Sequence, residues 1–406
     1  MSAAAPAARA IASDDEALAA ADALAAALRE GASERDRAPA GTVPWSALGL
    51  LDRSGLLAVT VPAEDGGLAA GPEILSEVVR RLAAADPAIA QVPQAHFLFL
   101  DVVRLWAGEA LRRRLHADVV AGGRIGNALA ERGGTHAQDL ATIIRRGDDG
   151  RLRLDGRKYY CTGALSARWI AVSARAEEDD RLAIAFVERA ARGVSVEADW
   201  DVIGQRATVS GTVAFDGVVV DDDMSFDYSR AFERPQQLGA RAQLLHAAIE
   251  VGIARGALDD ARAYLVQRAR PSSEAARAGA ARAVDDPHVL HRFGVLSSEV
   301  RAAEALLRDA AAELAGIGLV PADADAAARG SLAVAAAKAF GSDVAVRVSS
   351  ELFALCGTSA TASRFGLDRH WRNARTHSVH DPADWKYHHI AAYELAGVLP
   401  PNHGQL

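Results

Sequence analysis

Apolar residues recur at steps of three and four through roughly the first 120 positions, the spacing of helices that each bury one face. Pro44, the run Asp65-Gly66-Gly67 and the pair Asp86-Pro87 interrupt that pattern and mark where one helix gives way to the next. Gln91 to Trp106 is the most apolar stretch of this segment, and it carries a single His96. From about Arg124 to Val220 the texture changes to short β-branched and aromatic runs between turn residues. Asp148-Asp149-Gly150 separates Leu140–Arg146 from Arg151–Leu154, which predicts a hairpin. Lys158–Thr162, Trp169–Ala174, Leu182–Val187, Val194–Val196 and Thr208–Val220 complete about seven strands, enough for a small antiparallel barrel or sandwich. Beyond Pro235 the helical period returns, and Val289–Leu314 and Asp323–Leu355 are long enough for a four-helix bundle. The pattern therefore predicts an α+β chain in three parts: an N-terminal helical domain over 1–122, a β domain over 123–226 and a C-terminal helical bundle over 227–406.

Composition narrows the classes of function. The 406 residues correspond to two or three domains at about 150 residues each. Forty-five Lys and Arg against 53 Asp and Glu leave a formal charge of -8, which disfavours nucleic acid as a partner because a phosphate-tracking surface needs a basic face. Cys161 and Cys356 are the only cysteines; without a CxxC spacing they give neither a disulfide framework nor a thiolate zinc site, and they fit a reducing cytoplasm. The alanine-rich start is interrupted by Asp14, Asp15 and Glu16 and has no basic region before it, so a secretory leader is not expected. No uninterrupted apolar run approaches 18 residues, so no membrane span is expected either.

Histidine is the informative residue type, because six of the twelve fall in the last 37 positions. Around His377-Ser378-Val379-His380-Asp381-Pro382, Asp381 reads as an N-cap, Pro382 as the first helical residue and Asp384 as the reaching-back member of a capping box. His380 then stands just outside a helix N-terminus, where the exposed N–H groups favour an anion and disfavour a charged imidazole. Two surface histidines beside an ordinary cap would give the same spacing. No third ligand accompanies His377 and His380, so no metal site is expected. His96 reads either as a core histidine with its hydrogen bonds satisfied or as a catalytic one, and Asn127, on the first strand, as a backbone-bonded polar residue or a ligand contact. Lys158-Tyr159-Tyr160-Cys161-Thr162-Gly163-Ala164 and Gly204 to Thr212 are dense in hydroxyls, glycines and aromatic faces, suited to wrapping a planar heterocycle or simply to twisted strands. GxGxxG, P-loop and GxSxG patterns are absent, which removes the usual nucleotide-fold and serine-hydrolase readings.

The order of helices, barrel and bundle, with Val92-Pro93-Gln94-Ala95-His96-Phe97, Gly126 to Gly133, Lys158 to Ala164, Gln243 to Ile249, Arg268-Ala269-Arg270-Pro271 and Arg372 to Pro382, resembles the acyl-CoA dehydrogenase superfamily. The resemblance runs from about residue 15 to 397 and is closer to the flavin-dependent monooxygenase branch: the SfnB-type sulfur-acquisition oxidoreductases and, more distantly, the dibenzothiophene monooxygenases. It implies a homotetramer with a flavin between barrel and bundle, reduced FMN supplied by a separate flavin reductase, and transfer of one oxygen from a flavin hydroperoxide to a small organosulfur compound. It also implies that His96, Asn127, Thr162, His377 and His380 surround the reactive edge of the flavin, and that Tyr160, Arg268, Arg270 and Arg369 help hold it, one of Arg268 and Arg270 at the phosphate. Dehydrogenases of the superfamily commonly carry a Glu base followed by Gly-Thr where this chain has Asp381-Pro382; the lost motif weakens the reading as an FAD-dependent acyl-CoA dehydrogenase, which stays as the alternative. A helical assembly protein without catalysis is the third.

Overall fold

The computed structural model describes residues 8–133 and 140–406; the alanine-rich first seven residues, part of the segment read above for a leader, lie outside them. Seven helices come first: α1 (Asp14–Arg29), α2 (Ala32–Arg37), α3 (Trp45–Arg53), α4 (Pro72–Ala85), α5 (Pro87–Gln91), α6 (Gln94–Trp106) and α7 (Glu109–Val120). Local chemistry sets their ends. Ser13 caps α1 by accepting from the Glu16 N–H, with three acidic residues in the first turn complementing the helix dipole. Asp86 caps α5 in the same way, immediately before Pro87.

Eight strands follow: β1 (Ile125–Ala128), β2 (Ile143–Arg146), β3 (Leu152–Lys158), β4 (Trp169–Ala176), β5 (Leu182–Glu188), β6 (Val194–Glu197), β7 (Thr212–Val220) and β8 (Ser225–Asp227). They form one sheet in the order β6-β7-β3-β2-β4-β5-β8, with β1 added on β4. β5 also packs against β7, which is distant from it in that order, so the sheet is rolled. The expected hairpin is present as β2–β3. Two of the seven strand pairings, β1–β4 and β2–β4, are parallel, a departure from the wholly antiparallel barrel. The reason is the connection from β3 to β4, which is a ten-residue loop over 159–168 rather than a tight turn and lets β4 return beside β2 in the same direction. Two expected strands are also shorter than their sequence pattern. Of the expected Lys158–Thr162 only Lys158 is strand, as the last residue of β3, because Tyr160 takes a φ of 58°, and β7 starts only at Thr212 because Val209 has a φ of 46°; neither belongs to an extended pleat.

The last six helices are α8 (Leu238–Gln267), α9 (Ser273–Arg277), α10 (Pro287–Ile317), α11 (Ala324–Cys356), α12 (Asp368–Ser378) and α13 (Ala383–Ala396). α8 is buried almost all round, against α4 and α6 on one side and α10, α11 and α12 on the other, which follows from its nearly unbroken apolar sequence between Leu244 and Leu258. Among the described residues no helix is long and apolar enough to cross a membrane.

Candidate active site

A helix surrounded by protein has no water for its polar side chains, so each one must find a partner. On α8 they include His246 and Glu250, one turn apart, whose partners arrive from three other elements. Glu250 Oε1 accepts from His377 Nδ1 (2.9 Å) and from the ammonium of Lys338 (2.9 Å), and Oε2 accepts from the Ser342 hydroxyl. His377 Nε2 lies 3.1 Å from His246 Nδ1. The His246 ring in turn stacks on His380, with centroids 4.1 Å apart. Asp381, just after His380, takes Lys386 at 2.7 Å and Lys338 at 3.4 Å.

The charges balance: two carboxylates, Glu250 and Asp381, meet two ammoniums, Lys338 and Lys386, all buried. Burial opposes the charge on Glu250, but Lys338 and the His377 hydrogen bond outweigh it and hold its pKa below the ordinary carboxylate value. With the cluster already neutral, nothing repays protonation of the rings. Burial therefore pushes His377 down in spite of Glu250, and pushes His246 well down with help from His380 and His377.

This geometry corrects two expectations. Asp381 does not cap α13; that helix starts at Ala383 without a side-chain cap, because the carboxylate is drawn inward to neutralise two buried ammoniums. His377 does not face outward beside His380, since its ring is fully enclosed and both nitrogens are engaged within the cluster. His380, with 43% of its side chain exposed, is the member of the group that meets solvent.

A polar junction adjoins the histidines. Asn373, one turn before His377, accepts from the Gln205 backbone N–H. The loop that carries Gln205 docks so closely on α12 that a Cβ at Gly204 would lie 2.0 Å from the Arg372 carbonyl oxygen. Farther along this loop the Thr208 and Ser210 hydroxyls pair at 2.7 Å, and Ser210 donates to Thr162 Oγ1 at 3.2 Å. Thr162 accepts from the Asn127 backbone N–H at 3.1 Å, so Asn127 and Thr162 are brought together as expected neighbours. α6 closes the far side, where Gln94 donates to the Ala242 carbonyl on α8. Two buried amides here lack partners among the described residues: Gln205 at both amide atoms and Gln243 at Oε1. Gln205, Val209 and Tyr160 all hold positive φ, a backbone cost that collects in the two loops of this junction. Unpaired amide donors and acceptors beside hydroxyls suit the edge of a planar, hydrogen-bonding heterocycle.

His96 is the third correction. It is enclosed in the core, its Nε2 donating to the Leu57 carbonyl (2.9 Å) and its Nδ1 accepting from the Ile125 N–H (3.2 Å), so neither nitrogen is left for a ligand. Burial pushes its pKa down from 6.5 to about 4. An unfolded chain takes up this proton below about pH 6.5 and the folded one does not, so the stability present above pH 6.5 is lost as pH falls toward 4, by about 3 kcal/mol for this ring. Urea midpoints of the parent should drop between pH 7 and 5, and those of His96→Gln should drop less; parallel curves would contradict the assignment.

The residues expected at the flavin's far end lie elsewhere. Arg369 is committed to Asp260 (2.6 Å), which also takes His370 (2.8 Å), so its guanidinium is not open to a cofactor; this is the fourth correction. Tyr160 is half exposed, edge-on to Trp200 and beneath the Arg132 guanidinium. Arg268 and Arg270 are exposed beyond the end of α8, with no ion-pair partner among the described residues. Along the helix axis Arg268 is roughly 33 Å from His246, at 1.5 Å per residue. Among the described residues no group of three His, Cys, Asp or Glu side chains is placed to hold a metal ion.

Glu250, Lys338, Ser342 and Lys386 carried no expectation, and His246, Gln205 and Asn373 lay in the segments quoted above without a role of their own. A usable signal existed for four of them: His246 with Glu250, and Lys338 with Ser342, are polar pairs at a spacing of four inside otherwise apolar helices.

With this architecture and site in place, the comparisons are specific. The chain belongs to the acyl-CoA dehydrogenase family: the family's N-terminal, middle and C-terminal domains match residues 14–123, 128–218 and 244–385. Within the family it is 33% identical over 408 residues to dibenzothiophene monooxygenase of Rhodococcus qingshengii, covering 96% of this chain and 95% of that protein. It is 32% identical to the probable FMNH2-dependent monooxygenase SfnC of Pseudomonas putida, over 95% and 96% of the two chains. The crystal structure of FMN-bound TdsC from Paenibacillus sp. A11-2 superposes with a TM-score of 0.90 at 30% identity, covering 96% of this chain and 100% of that one.

Proposed function

We propose that this protein is the oxygenase component of a two-component monooxygenase, receiving reduced FMN from a separate flavin reductase and oxygenating a small organosulfur compound. The observation that carries this reading is the state of the carboxylates around the histidines. Glu250 is held by Lys338, His377 and Ser342, and Asp381 by Lys338 and Lys386. Neither can reach out as the base that an acyl-CoA dehydrogenase needs, so the site offers neutral imidazole, amide and hydroxyl groups instead. Dibenzothiophene monooxygenase and the methanesulfinate monooxygenase MsuC of Pseudomonas fluorescens (TM-score 0.88) support a sulfur compound as substrate, and the probable FMNH2-dependent monooxygenase SfnC supports reduced FMN.

When bound, reduced FMN supplies the activation of oxygen, one atom going to substrate and the other to water. Asn127, Thr162 and Gln205 would hold the ring through hydrogen bonds, and His380 would donate to charge developing near it. The enclosed α6–α8 wall, closed by the Gln94–Ala242 hydrogen bond, would keep water from the reacting face. The separation between Arg268 and His246 exceeds the length of one FMN molecule, so the arginines would serve the site of a neighbouring subunit, in keeping with a homotetramer. Cys161 and Cys356, both buried and pushed up to about 12, would remain inert thiols in a cytoplasmic protein.

The test is an assay with FMN, NADH, a flavin reductase, labelled oxygen gas and either dibenzothiophene or methanesulfinate. Label in the product supports the reading. Tightly held FAD together with acyl-CoA oxidation by an artificial electron acceptor would replace it with the dehydrogenase. A second expectation concerns the arginines: replacing the phosphate-binding one of Arg268 and Arg270 by Ala should weaken FMN binding by about 1.5–3 kcal/mol, the scale of a hydrogen bond to a charged group. Titration of each variant with FMN checks this, and equal affinity in both single variants and the parent would remove the arginines from the site.

A further inference from the structure

We propose that Glu250, acting through His377, fixes which nitrogen of His246 carries the proton, and that His246 is thereby a proton-accepting residue of the oxygenation site. The oxygenation role rests on the function proposed above; the proton assignment rests on this chain alone. A carboxylate has only acceptors, so the contact between Glu250 Oε1 and His377 Nδ1 requires a proton on His377 Nδ1. A neutral imidazole carries one proton, so His377 Nε2 is bare and can only accept. The contact between His377 Nε2 and His246 Nδ1 then places the proton on His246 Nδ1. His246 Nε2 is left with its lone pair and has no partner among the described residues, beneath the partly exposed ring of His380.

Both rings are thus held in the tautomer that free histidine disfavours, and both are held there by one buried carboxylate. The charged groups facing the pair are Glu250 on its own helix, Lys338 from α11, and Asp381 after α12, with His380 completing the shell. A proton arriving at His246 Nε2 pushes the Nδ1 proton to His377 Nε2, which creates an imidazolium against Glu250. His246 keeps one proton, moved from Nδ1 to Nε2, while His377 holds the added one beside Glu250, and the return path is the reverse shift. Lys338, already on Glu250, makes the resting pair neutral, so the relay holds a proton transiently rather than storing it. Glu250 is a positioning residue in this scheme.

The test uses full-length protein with ring nitrogen-15 histidine, without flavin, read by solid-state NMR of sedimented material. Signals are assigned by loss in His246→Gln and His377→Gln. In the parent, both rings should show protonated Nδ1 and bare Nε2; a protonated Nε2 on either neutral ring overturns the proposal. In Glu250→Gln at least one ring should flip, and unchanged tautomers in a folded variant would also overturn it. Should Glu250→Gln fail to fold, His377→Asn keeps the Glu250–Lys338 pair and should return His246 to the Nε2–H form; retention of Nδ1–H overturns the proposal. In the flavin-loaded enzyme, His377→Asn should lose product formed per reduced FMN while FMN affinity stays the same. Parental coupling with flipped tautomers would remove His246 from the oxygenation while leaving the proton assignment intact, and failure of the parent itself to oxygenate any sulfur compound would instead strike the function proposed above.

Discussion

Lys338→Met should destabilise the fold by about 3–5 kcal/mol, the cost of removing one partner from a buried ionic cluster. The ammonium is 2% exposed and lies between Glu250 at 2.9 Å and Asp381 at 3.4 Å. Burial pulls against its charge, but the two carboxylates outweigh burial and raise its pKa above the ordinary lysine value. Methionine fills nearly the same volume, so packing is roughly conserved and the loss isolates the charge. Glu250 would then be left with His377 and Ser342 alone, an uncompensated carboxylate in the middle of the bundle. The double change Lys338→Met with Glu250→Gln should recover part of the loss, because it removes the stranded charge as well. Denaturant unfolding of the three proteins decides the point: a single-variant loss below about 1 kcal/mol, the range of exposed pairs, would mean that the cluster is hydrated rather than buried.

His380→Ala is expected to leave the fold and FMN binding nearly unchanged and to lower product formation by about 100-fold or more, the scale for losing one preorganised donor at a developing negative charge. The fold should tolerate the change because His380 lies between α12 and α13, with much of its side chain in solvent. Its chemical weight comes from position: it is the exposed end of a stack whose other rings, His246 and His377, are enclosed. Oxygen consumption should continue in the variant and be returned as hydrogen peroxide. Measuring product and peroxide side by side separates this from a structural role, and a variant that still couples oxygen to product like the parent would reduce His380 to a loop residue.

The corrections share a cause. His96, His377 and Asp381 were each singled out by residue type and local spacing, and each proved to be satisfied by the interior. For His96 the partners are the backbone of Leu57 and Ile125, 39 and 29 positions away. For His377 they are His246 and Glu250, 131 and 127 positions away. A cap prediction at Asp381 weighs only the next three residues, whereas the carboxylate is placed by Lys386, five positions on, together with Lys338 from α11. Local rules describe helix ends in solvent; inside a bundle the need to neutralise buried charge dominates.

The sequence by itself determined the order of helices, strands and helices, the hairpin at Asp148-Asp149-Gly150, the two long helices after Asp286 and Asp323, and the family resemblance, because periodicity, caps and turns are short-range properties. It also placed Asn127 and Thr162 as neighbours through that resemblance. Only the tertiary structure decided which of His246, His377 and His380 is exposed, and that Glu250, Lys338 and His246 meet in one buried cluster. Those outcomes depend on which of several distant polar residues meet once α8, α11 and α12 pack together, and the free energy of a buried charge is set by partners that no local window contains.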